Sequence, residues 1–146
     1  GPAGRAMSFL VDTNVLSELR KGDRADPNVT AWFSGLADDE VFLSALTVGD
    51  LRRGVERIRL RDRPTAAILE SWLDRVTSQH EERILAVDRE IAEEWGRLSV
   101  PDPLPVIDGL LAATAKVRGL TLATRNVRDG ARTGVPVIDP FVRVLS

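Results

Sequence analysis

Apolar residues along this chain follow two alternating rhythms. Short runs of strand length stand at FLVD (9–12), VFLSAL (41–46), ILAVD (84–88), LTLAT (120–124) and VPVID (135–139). Between them the apolar positions recur every three or four residues, the spacing of one helix face. Ile68, Leu69, Trp72, Leu73 and Val76 mark such a face, and Val87, Ile91, Trp95 and Leu98 mark another. TNVLSEL, directly after the first run, predicts a helix. PVIDGLLAATAKVRGL predicts a further one, opened by Pro105 and closed by Gly119. Strands alternating with helices predict an α/β fold around a mainly parallel sheet. The tryptophans and isoleucines on these faces read as core rather than as a cofactor site. RKGDRADPN (20–28) and SVPDPLP (99–105) read as loops, too short to separate domains. One domain over residues 7–146 is therefore expected, with GPAGRA (1–6) as an expression-tag remnant.

Composition narrows the chemistry. The 146 residues carry a net charge of −2, so the chain is not a generally basic nucleic-acid coat protein. No apolar run approaches the roughly 18–20 residues of a membrane span. Cysteine is absent, which removes disulfides, thiolate metal sites and cysteine nucleophiles and fits a reducing cytoplasm. His80 is the single histidine and lies in a polar stretch, TSQHEER, where a surface position is expected. Paired-histidine catalysis and multi-histidine zinc sites are excluded. Two arginine-rich stretches stand out against the acidic balance. LRRGVERIRLRDR holds Arg52, Arg53, Arg57, Arg59, Arg61 and Arg63, and TRNVRDGAR holds Arg125, Arg128 and Arg132. Either they solvate helix and loop faces, or some of them contact phosphate.

The acids are more telling. FLVD brings an apolar strand to a carboxylate, so Asp12 either caps the next helix or faces a cleft. Open parallel sheets collect ligands at the carboxyl ends of their strands. Asp50, Asp108 and Asp129 also fall where strand ends and helix starts are expected. Each has a plain structural reading. Thr47 to Asp50 has capping-box spacing, Asp108 sits in a first helical turn that favours a carboxylate, and RDG around Asp129 suits a turn. Taken together, carboxylates from separated segments repel one another unless a cation neutralises them. Oxygen ligands alone point to magnesium or manganese. Such ions activate water and offset charge in phosphoryl displacement, as a phosphodiesterase requires.

VDTNVLSELR, FLSALTVGDLRRGVER and LPVIDGLLAATAKVRGLTLATRNVRDGARTGVPVIDPF, in this order, resemble the PIN-domain ribonucleases, and within them the VapC-type toxins of the FitB-like branch. The likeness runs from Met7 to Phe141. It implies a PIN-like α/β/α sandwich with a mainly parallel central sheet. The activity it implies is Mg2+- or Mn2+-dependent cleavage of structured RNA such as tRNA or an rRNA loop. Its implied partners are a second copy of the chain, as a homodimer, and a VapB-type antitoxin that places an arginine among the acids. Asp12 matches the first acid of the family, Asp50 the second, Asp108 the third and Asp129 the fourth, all as catalytic and metal-binding positions. Thr13 or Asn14 would orient Asp12, Thr124 and Asn126 would support the last loop, and Arg125 and Arg128 would hold RNA phosphates.

Two positions depart from the family pattern. Asp50 stands where a glutamate is usual, shorter by about 1.5 Å, which implies action through water or a weak second metal site. Gly130 replaces an aromatic residue, which implies a less firmly anchored loop around Asp129. Two other readings follow from the same residues. One is a PIN-like scaffold that binds RNA or an antitoxin without cutting. The other is an aspartyl-phosphate phosphatase with Asp12 as nucleophile, although Asn14 stands where that chemistry wants a second carboxylate.

Overall fold

Phe9, Leu10 and Val11 form strand β1 (Phe9–Val11), and its alternation sets up the two faces of the molecule. Phe9 and Val11 enter one apolar cluster and Leu10 the other. The computed structural model describes residues 7–142, so the tag-like residues 1–6 lie outside it. β2 (Val41–Ser44), β3 (Ile84–Leu85), β4 (Thr121–Ala123) and β5 (Val137–Ile138) complete a five-stranded sheet in the order β3-β2-β1-β4-β5. Every pairing is parallel, with Leu10 opposite Phe42 on one side and Leu122 on the other.

Helices cover both faces. On one lie α1 (Thr13–Leu19), α2 (Pro27–Ser34), α3 (Ala45–Arg59) and α4 (Arg63–Gln79), which supply Val15, Val29, Leu51, Val55, Leu73 and Val76 to the cluster around Phe9 and Val11. On the other, α6 (Val106–Arg118) brings Leu111, Ala112 and Ala115 against Leu10 and Leu122, and α5 (Arg89–Leu98) packs on α6. α7 (Val127–Ala131) closes the end of the sheet beside β5. Among the described residues, no helix is long and apolar enough to cross a membrane.

All five expected strands are present, each shorter than its apolar run, and capping residues end β1, β2 and β3 early. Ser44 accepts from Leu46 N at 3.0 Å and starts α3 within VFLSAL. Asp88 accepts from Ile91 N at 2.9 Å, so ILAVD leaves the sheet after Leu85 and Val87 precedes α5. The stretch 20–28, read as loop, ends in a helix start. Asp26 caps Asn28 N at 2.8 Å and Pro27 takes the first turn of α2. Ile68 is 69% exposed and leaves the buried face of α4 to Leu69, Trp72, Leu73 and Val76. His80 corrects the expectation of a surface histidine. It is buried, and its Nδ1 donates to Val76 O at 2.9 Å.

Candidate active site

The chain runs outward from β1 through β2 to β3, then returns to lay β4 and β5 on the opposite side. The order therefore reverses between β1 and β4, and a crevice opens where both strands end. Asp12 and Thr124 are the residues that follow those ends.

Asp12 is held from several directions. Its N–H donates to Ala123 O at 2.9 Å, which fixes the backbone at the strand end. Its Oδ1 accepts Thr13 N at 2.7 Å, and its Oδ2 accepts the Thr124 hydroxyl at 2.8 Å. It is thus the N-cap of α1 and also faces the crevice, so both readings of this residue hold at once. Burial raises its pKa above the ordinary carboxylate value against the pull of these bonds, and the charges of Asp108 and Asp50 push the same way. The Thr124 hydroxyl also accepts from Asn14 Nδ2 at 3.3 Å and Asn126 N at 3.0 Å. One donor and two acceptors exhaust its capacity. Asn14 in turn accepts Arg125 N at 3.2 Å.

Asp108 occupies the first turn of α6, and Asp129 lies within α7. The side-chain amide of Asn126 joins them, donating to Asp108 at 3.2 Å and to Asp129 at 2.9 Å. Partial burial, then the charge of Asp129, raises the Asp108 pKa, and the Asn126 bond opposes them. Asp12, Asp108, Asp129, Thr124 and Asn126 line one small cavity of about 10 Å³, floored by Leu111, Leu122 and Gly130. That volume suits about one water-sized occupant. Three of the four acids expected together are therefore brought together.

Asp50 sits differently. α3 begins at Ala45, so the capping box expected at Thr47 to Asp50 does not form, and Asp50 falls in the second turn. Its carboxylate takes Arg53 Nη2 at 2.5 Å and is not part of the cavity wall, though its charge still reaches Asp12. Sequence reading missed Arg53 as the partner, although the i, i+3 spacing signals such a pair. Arg125 lies over the Phe141 ring at 4.2 Å, and Arg128 is exposed beside the crevice on α7.

Gly130 corrects the expectation of a loosely anchored loop. It is buried, and a Cβ there would stand 2.8 Å from Val137 Cγ2 and 3.6 Å from Leu122 Cδ2. Its missing side chain lets α7 close directly onto β4 and β5.

Among the described residues, no three carboxylate or histidine side chains stand close enough to enclose a metal ion by themselves. The donor set still suits magnesium or manganese. Its carboxylates are all oxygen donors, Asp108 raises the proton affinity of Asp12 and Asp129 that of Asp108, and the cavity is ion-sized. Magnesium takes one or two carboxylates and keeps several of its waters, so a closed protein cage is not required.

Comparison with known proteins agrees with this architecture. The PIN domain family model matches residues 9–132. Toxin FitB of Neisseria gonorrhoeae is 33% identical over 140 residues, covering 91% of this chain and 98% of that protein. A VapC ribonuclease of Sinorhizobium fredii is 30% identical over 139 residues, covering 91% and 97%. The solved structure of FitAB bound to a DNA fragment superposes with a TM-score of 0.84 at 29% identity, covering 94% of this chain and 98% of that one. With this fold, this arrangement of acids and these relatives, the chain belongs to the PIN-domain family.

Proposed function

We propose that this protein is a divalent-cation-dependent endoribonuclease, the toxin half of a toxin–antitoxin pair. One observation carries the reading. Asp12, Asp108 and Asp129, from three separate segments, surround a single ion-sized cavity at the strand ends. Asp12 caps α1 and Asp108 lies in the first turn of α6, but those roles do not require the two to share a cavity with Asp129, and both have raised proton affinities. The names of the relatives, a toxin and a ribonuclease, favour the same activity.

Asp12, Asp108 and Asp129 would hold Mg2+ or Mn2+, with Asp50 acting from outside through water. When bound, the cation supplies Lewis-acid chemistry: it acidifies water and offsets negative charge on the phosphate. The protein supplies position. Thr124 fixes the rotamer of Asp12, Asn126 spaces Asp108 from Asp129, and Arg128 faces incoming phosphate. Arg125, laid on Phe141, steadies the neighbouring loop through its backbone bond to Asn14.

The same carboxylates suit inhibition by a partner protein. A guanidinium bonds two carboxylate oxygens well, and within the chain Arg53 already holds one oxygen of Asp50. An antitoxin arginine entering the cavity would compete with the cation for the same oxygens. The structure of FitA with FitB is consistent with such a partner.

Incubating purified protein with total RNA in Mg2+, Mn2+ or EDTA tests the proposal. Cleavage with either metal and none in EDTA is expected. No cleavage in either metal, by folded protein, would favour the scaffold that binds without cutting. Thr124→Val is expected to lower Mn2+ affinity and cleavage about 10–100-fold, the usual cost of losing a group that orients a metal ligand. Isothermal titration with Mn2+ measures the first effect without relying on activity.

A further inference from the structure

The arginine-rich stretch from Arg52 to Arg63 has no part in the mechanism above, and the fold divides its arginines into two groups. Arg52 and Arg59 both bridge to Glu56 within α3 and to Glu70 on α4. They staple the two helices together. Arg53 is paired with Asp50. Arg57, Arg61 and Arg63 are exposed and take part in no ion pair among the described residues, and Arg57 and Arg63 lie on the same hollow.

These two arginines, with Arg53, Arg59, Leu60 and Glu56, line a surface hollow of about 480 Å³ where α3 turns into α4. Glu56 is already held by Arg52 and Arg59, so the hollow keeps a positive excess. Leu60 is 90% exposed within it. Asp50, Arg53 and Arg57 have i, i+3, i+7 spacing and share one face of α3. This face begins at Asp50, whose charge reaches Asp12 although it stands outside the cavity wall, and ends in the hollow.

We propose that this hollow is a second RNA contact, in which Arg57 and Arg63 hold substrate phosphates away from the acidic cavity. The inference rests on the ribonuclease reading. A crevice of carboxylates repels a polyanion, and the chain as a whole carries −2, so phosphate attraction must come from a local basic surface. The guanidinium fork matches phosphate oxygens, and Leu60 offers apolar surface to a ribose or base between them. An acidic protein segment is the rival occupant. Arg57 and Arg63, left without carboxylate partners among the described residues, and a helix face that leads from Asp50, whose charge reaches Asp12, favour the RNA strand.

Binding of fluorescently labelled bulk tRNA, followed by anisotropy in EDTA across a range of KCl concentrations, tests this in wild type and the Arg57→Gln/Arg63→Gln double variant. Both side chains are exposed, and an unchanged melting temperature verifies that the variant is folded. The expected result is about tenfold weaker binding at low salt. The slope of log K against log salt should also be shallower by about 1.4–1.8, the loss of two phosphate contacts. Equal affinity and slope in the two proteins would overturn the proposal while leaving the ribonuclease reading intact. Unchanged RNA binding with loss of a co-purifying partner protein would overturn it in favour of the protein occupant. Wild type that binds no RNA at all would overturn both.

Discussion

Asp12→Asn is expected to lower RNA cleavage by more than about 100-fold and, in the cation-free protein at neutral pH, to raise the melting temperature. The first effect follows from the position of the carboxylate in the cavity wall. Residues that merely orient a ligand cost about 10–100-fold when lost, and the proposed ligand itself should cost more. The second effect follows from its electrostatics. Burial, together with Asp108 and Asp50, holds the folded-state pKa of Asp12 above its ordinary value near 3.8. A carboxyl raised in this way contributes stability that is fully present below its unfolded pKa and lost as pH rises through the folded one. At neutral pH the charged group is therefore a liability. Asparagine removes the charge and keeps a carbonyl oxygen for one of the two hydrogen bonds to Thr13 N and the Thr124 hydroxyl. The gain should shrink as pH falls into the acid range. Mn2+ should reverse the order, stabilising wild type by mass action and the variant little. Thermal melts over pH, with EDTA and with Mn2+, measure all of this. A lower melting temperature for the variant in EDTA at neutral pH would mean that Asp12 serves the fold chiefly as a cap.

Gly130→Phe should be the most damaging change among the residues that support the site. Phenylalanine restores the aromatic character usual in the family, yet here a Cβ would meet Val137 Cγ2 at 2.8 Å, closer than real Cβ atoms come. Val137 is β-branched and stands on β5, so few side-chain rotamers are open to it and much of the strain must fall on α7. Overpacking of this kind costs about 1–3 kcal/mol, and a full aromatic ring belongs at the upper end. α7 would move outward and carry Asp129 away from Asn126, whose amide now donates to it at 2.9 Å and to Asp108 at 3.2 Å. Cleavage should therefore fall along with stability. Val137→Ala removes the clashing methyl, so the double variant should recover part of both losses, a coupling that urea denaturation resolves. A Gly130→Phe protein as stable and active as wild type would show that the contact with Val137 is easily displaced.

Much of this architecture was legible in the sequence, for identifiable reasons. Strands buried on both faces read as continuous apolar runs, so all five were found, and Asp12, Asp108 and Asp129 were placed by their positions at element ends. What escaped was set by capping and by distant packing. Asp26 and Pro27 start α2 inside a stretch whose proline and glycine suggested a loop. Ser44, rather than Thr47, starts α3, which shifts Asp50 into the second turn and gives it to Arg53. His80 looked solvated among polar neighbours, but the last turn of α4 turns its ring inward to Val76. The role of Gly130 depends on Val137, seven residues away on another element, and no local pattern reveals that contact.

The most direct measurement is anomalous scattering from crystals of the wild-type protein grown with Mn2+. A manganese peak in the crevice, held directly by one or two of the carboxylates of Asp12, Asp108 and Asp129 and through water by the rest, is the expected result. A peak elsewhere, or none at the crevice with the cation in excess, would contradict the proposed metal site and the ribonuclease mechanism built on it.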